Sequence, residues 1–273
     1  MKDFFSHLAF EGFAFGPIYI HTWGLAVALG FLLAIRLAGA KLKLLKKNGR
    51  IAELALFDEK IILNFSFNLI FAILIGSRLL FIVEEWPVFT KDFRAVFRIW
   101  EGGFSLFGGV IAALSYGYWW ARKNKLSFWL LGEIFTPAWI FGLAIGRTGC
   151  FFIHDHLGKP TDLPWRMLID GAYRHEPALY EAIFLIAIGF LLYFKQKKKR
   201  TKNIFLLSLL FYVFGRFWLD FFRAEEIAGG DSQWLNLTFA QWISLGTVMI
   251  AFLYYLKDKK CLLFLKNNSK VRR

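Results

Sequence analysis

The chain has 273 residues, of which 57% are hydrophobic and 19% aromatic, and its formal net charge is +14. With a mean hydropathy of +0.47, it is too apolar for a soluble domain and indicates a polytopic membrane protein. The positive charge does not indicate a nucleic-acid partner, because the lysines and arginines are grouped in short segments between apolar runs, as signals for membrane orientation are.

About seven apolar runs of roughly membrane-spanning length follow one another along the chain. Helices are the only open-ended structure that pairs every backbone group within its own segment in lipid. We therefore predict an all-α, polytopic membrane helix bundle of about seven spans that forms one transmembrane domain over residues 1–273. The predicted spans are Ile18–Leu37, Ile61–Val83, Phe104–Trp120, Phe128–Ile145, Ala178–Phe194, Ile204–Phe222 and Phe239–Leu256.

The charged segments predict the orientation of these spans. Basic segments follow the odd-numbered spans, and such segments face the cytoplasm. We therefore expect the N-terminus outside and the C-terminus in the cytoplasm, with the first span retained, since the start of the chain has no small-residue cleavage site. The basic segments are Lys41–Arg50, Arg122–Lys125, Lys195–Arg200 and Lys257–Arg273.

The segment 150–177 lies on the predicted outer side between the fourth and fifth spans. It is too long for a simple turn, and Trp165, Met167 and Leu168 make it too apolar to be only solvated. We predict that it forms a small periplasmic cap over the bundle. The alternative is a disordered loop.

Arg147 stands where the fourth predicted span leaves the hydrocarbon, between Gly146 and Gly149. A permanent cation at this depth costs a few kcal/mol unless it faces the protein interior or a polar ligand. Arg216 has a similar setting in the sixth span, with Asp220 placed to pair with it as an i,i+4 neighbour. Two arginines at membrane depth suggest one shared anion, and a bilayer supplies phospholipid phosphate. The alternative is that Arg147 only extends to the interface.

The cysteines predict neither a disulfide nor a metal site. Cys150 and Cys261 fall on opposite sides of the predicted topology, and they lack metal-type spacing. His154 and His156 flank Asp155, but alternate residues in a loop are a weak signal for a metal. We therefore predict no metal and no cofactor. Cys150 is either a small apolar filler or a thiol activated by Arg147.

Three segments, in order, resemble the prolipoprotein diacylglyceryl transferases of bacterial inner membranes. Gly146–Gly158 has the spacing of the family pattern Gly-Arg-x-Gly-Asn-Phe-x-Asn-x-Glu-x-x-Gly. His175–Glu181 matches His-Pro-x-x-Leu-Tyr-Glu, and Arg216–Arg223 matches Arg-Phe-x-x-Glu-Phe-Phe-Arg and is followed by Gln241 in the last span. In order and spacing, the resemblance covers nearly the whole chain.

The resemblance implies an inner-membrane enzyme that moves a diacylglyceryl group from phosphatidylglycerol to the lipobox cysteine of a signal-peptide-bearing prolipoprotein. The product is a thioether, and glycerol phosphate leaves; membrane lipids are the other expected partners. The resemblance implies that Arg147 and Arg216 are catalytic, and we add His154 and Asp155, which lie in the same segment, as catalytic candidates. The implied substrate-binding residues are Arg147, Arg216, Gly146, Gly149, Gly158, Trp23, Tyr212 and Gln241.

The chain departs from the family pattern at several polar positions. Phe107 stands where the family has a histidine proposed as the base, and Cys150 and Ile153 replace asparagines. The proton acceptor therefore stays open among His154, Asp155, His156 and His21. Two other functions stay open: a phospholipid-binding paralogue without transfer, and a small transporter, although the chain has no internal repeat of the kind many transporters carry.

Overall fold

The computed structural model describes residues 10–16, 18–47, 57–98, 103–154, 157–169, 171–198, 204–224 and 233–253. The prediction of an all-α, polytopic membrane protein is confirmed. The helices are α1 Thr22–Lys47, α2 Glu59–Glu84, α3 Trp86–Lys91, α4 Leu106–Lys123, α5 Phe128–Ile153, α6 Pro177–Lys198, α7 Ile204–Leu219 and α8 Phe239–Leu253.

Short strands and two 3-10 turns connect these helices, and the strands pair as three antiparallel hairpins: β1 with β2, β3 with β4, and β5 with β6. The strands are β1 Gly12–Phe15, β2 Ile18–His21, β3 Met167–Ile169, β4 Ala172–Arg174, β5 Gln233–Trp234 and β6 Leu237–Thr238. The 3-10 turns are Phe93–Phe97 and Asp220–Phe222.

Each of the predicted spans overlaps one helix. Among the described residues, five helices are long and apolar enough to cross a membrane: α1, α2, α5, α6 and α7 over Ile204–Phe222. The other two predicted spans correspond to α4 and α8, which are shorter.

The predicted bounds of the first span are wrong at both ends. Ile18–His21 forms β2, and α1 begins at Thr22 and continues past Leu37 to Lys47. The helix continues into the basic segment because this segment also carries a buried apolar stripe at helical spacing. The stripe comprises Ala38, Leu42 and Leu45.

The predicted end of the fourth span is also wrong. Helix α5 continues beyond Ile145 to Ile153, so Arg147 lies inside the helix, almost two turns before its end. The polar residues after Ile145 suggested a loop. Packing extends the helix instead, because Cys150 and Phe151 are buried against the segment that follows α5.

The chain divides into two compact units, and the first comprises Met1–Ala34 with Trp139–Arg273. One core cluster in this unit joins the inner faces of α5, α6 and α7 through residues such as Ile140, Leu185 and Ile204. A second cluster, with Phe151, Met167 and Ala178, joins the end of α5 to the β3–β4 hairpin and the start of α6. These clusters fix the three helices that carry the candidate site.

The described part of segment 150–177 is folded onto the end of α5. The β3–β4 hairpin turns at Gly171, whose φ of +76° suits glycine. Isolated bridges join Gly158 to Arg223 and Pro160 to Arg174, so the segment is tied to the end of α7 as well. We call residues 157–176 the cap segment; its periplasmic location stays a prediction.

The second unit, Ile35–Ala138, is built on the pair α2 and α4. Aromatic side chains line this pair, among them Phe65 and Trp120, whose ring centroids lie 4.6 Å apart. The expectation of a single transmembrane domain over residues 1–273 stays a prediction.

Arg78 of α2 supports the segment between α3 and α4. Its guanidinium is buried and lies over the rings of Phe81, Phe89 and Phe104. Each carbonyl that it reaches belongs to the segment that leads into α4, so Arg78 orders that segment. It donates hydrogen bonds to the backbone oxygens of Ala95, Val96, Arg98 and Gly103.

The contact between α2 and α4 requires glycine at its closest point. A Cβ on Gly108 would lie 2.3 Å from the Gly76 carbonyl oxygen, whereas one on Gly117 of the same helix would meet only Phe128 at 3.8 Å. We expect Gly108→Ala to destabilise the protein by about 1–3 kcal/mol through overpacking. Gly117→Ala, the matched control, should leave the thermal midpoint in detergent unchanged or slightly higher. Equal midpoints for the two variants would contradict this packing.

Candidate active site

Glu181 is the centre of the candidate site. It lies on α6, is 2% exposed, and contacts both arginines that the sequence singled out. Its Oε1 lies 3.1 Å from Nε of Arg147 on α5, and its Oε2 accepts a hydrogen bond of 2.8 Å from Nη1 of Arg216 on α7. The hydroxyl of Tyr212 donates to Oε1 at 3.3 Å. One carboxylate therefore joins two guanidiniums from different helices.

Asp220 extends this contact beyond Arg216. Its Oδ1 lies 2.9 Å from Nη2 of Arg216, so the predicted i,i+4 pair is confirmed, and 3.6 Å from Nε of Arg223. Its other oxygen accepts a hydrogen bond from the hydroxyl of Thr238 at the start of α8. Both carboxylates are almost completely buried, and each contacts two arginines.

Gln241 of α8 supports the same corner of the site and is 1% exposed. Its Oε1 accepts a hydrogen bond of 2.8 Å from the backbone N–H of Thr238, and its Nε2 donates to the carbonyl of Phe217 at 3.0 Å. The amide therefore links the end of α7 to the start of α8 and orients Thr238 toward Asp220. A direct contact of Gln241 with substrate stays a prediction.

These five charged groups form an alternating chain, Arg147–Glu181–Arg216–Asp220–Arg223, which we call the charge chain. Three arginines and two carboxylates sum to a formal charge of +1. Buried charges are tolerated only when opposite charges and hydrogen bonds compensate them. The chain thus stabilises its own arginines.

The two glycines beside Arg147 have different surroundings. A Cβ on Gly149 would lie 2.6 Å from Cβ of Ala26 on α1, so Gly149 permits close packing of α1 and α5. Among the residues that the structure describes, none has an atom within 4 Å of a Cβ on Gly146. Of the two glycines, Gly149 is therefore the one that the packing of the described helices requires.

His154 forms a second polar contact between the end of α5 and the start of α6. It follows the last residue of α5, and its Nδ1 lies 2.9 Å from Oε2 of Glu176, which is 2% exposed. The backbone oxygen of Glu176 accepts hydrogen bonds from the N–H groups of Leu179 and Tyr180, so Glu176 caps the start of α6. Burial raises the pKa of the Glu176 carboxyl, and the hydrogen bond from His154 opposes that rise.

Other predicted site residues lie around these polar contacts. Gly158 packs against His175, since a Cβ there would lie 2.3 Å from the His175 carbonyl oxygen. Trp23 on α1 is 46% exposed, and its backbone borders Gly149. Asp155 lies outside the described residues. The substrate-binding roles of Gly158 and Trp23 and the catalytic role of Asp155 stay predictions.

Cys150 is a buried thiol in the core cluster with Phe151 and Met167. This surrounding favours the interpretation of Cys150 as an apolar filler. Among the described residues, there is no group of three or more histidine, cysteine, aspartate or glutamate side chains that could hold a metal ion.

The site predicted from the sequence did not include the connecting residues Glu181, Glu176, Arg223 and Thr238. Glu181 closes the His175–Glu181 segment and Arg223 closes the Arg216–Arg223 segment, so the motifs were a usable signal for both. Glu176 stands where the family pattern of that first segment has proline, and this departure was also visible in the sequence. Nothing near Thr238 indicated its contact with Asp220.

Comparison with known proteins identifies clear relatives. A family model described as prolipoprotein diacylglyceryl transferase matches residues 11–257. The phosphatidylglycerol–prolipoprotein diacylglyceryl transferase of Synechocystis sp. is 32% identical over 265 residues, which are 89% of this chain and 90% of that protein. The enzyme of the same name from Mannheimia succiniciproducens is 31% identical over 87% of this chain and 85% of its own. The enzyme of the same name from Acaryochloris marina is 29% identical over 90% of this chain and 91% of its own.

The shared carboxylate generates a stability prediction. Glu181→Gln keeps the shape of the side chain but leaves Arg147 and Arg216 without their common counter-charge, and breaking a buried ion pair costs about 3–5 kcal/mol. We expect a clearly lower thermal midpoint in detergent. Asp162→Asn breaks the exposed pair with Arg166 and should cost at most about 1 kcal/mol. Similar losses in both variants would contradict the central role of Glu181.

The glycines generate a second prediction. Gly149→Ala should lower the thermal midpoint, because the new methyl group overlaps Ala26 and overpacking costs about 1–3 kcal/mol. Gly146→Ala should leave the midpoint unchanged, because its methyl group meets no atom of the described residues. If a ligand lies there beside Arg147, Gly146→Ala should weaken lipid binding without loss of stability. A Gly146→Ala variant that is destabilised but binds lipid normally would contradict this prediction.

Proposed function

We propose that this chain, which belongs to the prolipoprotein diacylglyceryl transferase family, transfers the diacylglyceryl group of phosphatidylglycerol to a cysteine thiol of a prolipoprotein. Family membership supports the reaction, because the model match covers residues 11–257 and relatives of that name are similar over nearly the whole chain. The observation that supports the site is the sharing of Glu181 by Arg147 and Arg216.

The charge chain fits the phosphate of this lipid. The phosphodiester of phosphatidylglycerol carries one negative charge, and the charge chain offers it the guanidiniums of Arg147 and Arg216. Guanidinium groups bind phosphate through paired N–H donors. Glu181 engages Nε of Arg147, and the two Nη groups of a guanidinium carry four further N–H donors. Glu181 would then hold the two arginines in place rather than compete with the lipid.

The reaction is a displacement at carbon. The thiol loses its proton, and its sulfur attacks the glyceryl carbon that is bonded to the phosphate oxygen. A C–S bond forms, the C–O bond breaks, and its electron pair stays on the phosphate oxygen. The leaving glycerol phosphate gains one negative charge in this step, and the arginines stabilise that charge as it develops. Glycerol phosphate then takes up a proton, which balances the reaction.

Phe107 cannot accept the thiol proton, because its side chain has no titratable group. Another residue must therefore be the proton acceptor. Phe107 lies in the first turn of α4, at the position where the family pattern has histidine. His154 is the candidate that we favour, because it is held at the end of the same helix that carries Arg147. Asp155 and His156 lie outside the described residues, and His21 is exposed at the end of β2.

The chain is a multi-pass membrane protein. We propose the orientation that its charges predict, with the N-terminus outside and the C-terminus in the cytoplasm. In that orientation the cap segment and the ends of α5 and α7 that carry the arginines face outward. A bacterial inner membrane, with phosphatidylglycerol and prolipoproteins as partners, is the setting that this proposal requires.

A second candidate function is phospholipid binding without transfer, and the loss of the family histidine at Phe107 favours it. Both functions predict that phosphatidylglycerol binds at the charge chain. They differ in the product, because only the transferase forms a thioether on a peptide that contains a lipobox cysteine.

Purified protein should transfer labelled diacylglycerol from phosphatidylglycerol to such a peptide. We expect Arg147→Gln and Arg216→Gln each to reduce kcat/KM by about 10²–10³, the usual effect of removing one electrostatic stabiliser. Arg36 lies exposed in α1, so Arg36→Gln is the matched control and should retain activity. Tight lipid binding with no thioether product would favour the second candidate, and full activity of both site variants would contradict the proposed site.

A further inference from the structure

We propose that Glu176 positions His154 to take the proton of the incoming thiol. This inference rests on the proposed transfer function and deepens it, because it names a base together with the carboxylate that orients the base. The structure provides a buried histidine–carboxylate pair, with His154 Nδ1 2.9 Å from Glu176 Oε2. An imidazole whose Nδ1 is engaged in this way presents Nε2 as its proton acceptor.

Both members of the pair are held rigidly. His154 has a φ of +48°, which is a left-handed conformation that few residues other than glycine adopt. It lies directly after α5, with its backbone N–H donating to the carbonyl of Phe151. Glu176 caps α6, so neither side chain depends on a mobile loop for its place. The strained conformation of His154 is tolerated where the Glu176 contact and the helix end fix it.

Two contacts join the same two helices, in antiparallel order. Arg147, inside α5, contacts Glu181 on α6, and His154, directly after α5, contacts Glu176, directly before α6. Seven residues separate Arg147 from His154, which corresponds to about 10 Å along the axis of α5. A lipid phosphate at Arg147 would therefore have the His154–Glu176 pair at the next contact between the two helices.

Electrostatics favour proton transfer to this pair. With a neutral His154 the pair carries one negative charge in a buried place, and with a protonated His154 it carries none. Taking the thiol proton therefore removes a buried charge. The imidazolium then returns the proton to the leaving glycerol phosphate, which has just gained a negative charge. Burial disfavours the charged carboxylate of Glu176 and raises its pKa, whereas the contact with His154 lowers that pKa.

The other titratable groups around Glu176 form a separate network. His175 Nδ1 lies 3.1 Å from the hydroxyl of Tyr180, and Trp165 Nε1 donates to the same hydroxyl at 3.0 Å. Burial lowers the pKa of His175, which favours its neutral form. Among the described contacts, His154 is the group that pairs with the Glu176 carboxylate.

The sequence is consistent with a general base at another position than that of the family histidine. Position 154 is variable in the family pattern that this chain resembles, and position 176 is proline in that pattern. This chain has histidine at the first, glutamate at the second, and phenylalanine where the family histidine stands at Phe107. The pair therefore supplies the chemical group that Phe107 lacks.

The test uses two variants that keep the fold. His154→Gly suits a φ of +48°, so the loss of activity is separable from misfolding. We expect its kcat to fall by about 10²–10⁴, as for removal of a general base, and added imidazole to restore part of it. Glu176→Gln should lower kcat by at least about tenfold and shift the acidic limb of the kcat pH profile to lower pH, since the carboxylate stabilises the imidazolium. A purely structural pair would give neither rescue nor a shifted limb.

The controls separate this inference from the proposed function. Glu11→Gln changes an exposed glutamate and should leave both kcat and the pH profile unchanged. An inactive wild-type protein would overturn the proposed function and this inference together. An active wild-type protein whose His154→Gly and Glu176→Gln variants keep full activity and an unshifted pH profile would overturn this inference alone. Loss of activity in His21→Gln, with His154→Gly active, would assign the base to His21.

Discussion

A single buried carboxylate holds the candidate site together. Arg147 and Arg216 come from different helices and would repel each other at close range, and Glu181 of a third helix allows them to approach. Without that contact, two buried cations would lack a counter-charge, and this would strongly destabilise the folded protein. The core cluster of α5, α6 and α7 brings these helices into contact, and the ion pairs fix how each helix is rotated about its axis. Packing and electrostatics therefore specify the same arrangement.

The antiparallel contact of α5 with α6 places the polar contacts of the site at successive positions along α5. Two polar contacts cross it, Arg147 with Glu181 inside the span and His154 with Glu176 at its end. The inner contact belongs to the charge chain, and the outer one is the histidine–carboxylate pair that we propose as the proton acceptor. An anionic lipid and a thiol would thus meet complementary groups at successive depths along one helix. The cap segment packs on the end of α5, where the second substrate would arrive.

The apolar runs were sufficient to predict the helices, and helical spacing was sufficient to predict the Arg216–Asp220 pair. Both are local properties of the chain. The end of α5 was predicted too early because its polar residues suggested a loop. Tertiary burial of Cys150 and Phe151, which no local pattern reveals, extends it. The same holds for Glu181 and Glu176, which both lie in the segment His175–Glu181. The partner of each is set by the rotation of α6 against α5. That rotation depends on packing across the whole interface. Gly146 and Gly149 look equivalent in sequence, yet only one of them contacts α1.

The most direct measurement is an experimental structure of the protein in a lipid nanodisc with phosphatidylglycerol bound. We predict that the lipid phosphate lies within hydrogen-bond distance of the guanidinium groups of both Arg147 and Arg216, with Glu181 still bridging them. A phosphate bound elsewhere, or bound by one arginine while the other points away, would contradict the shared site.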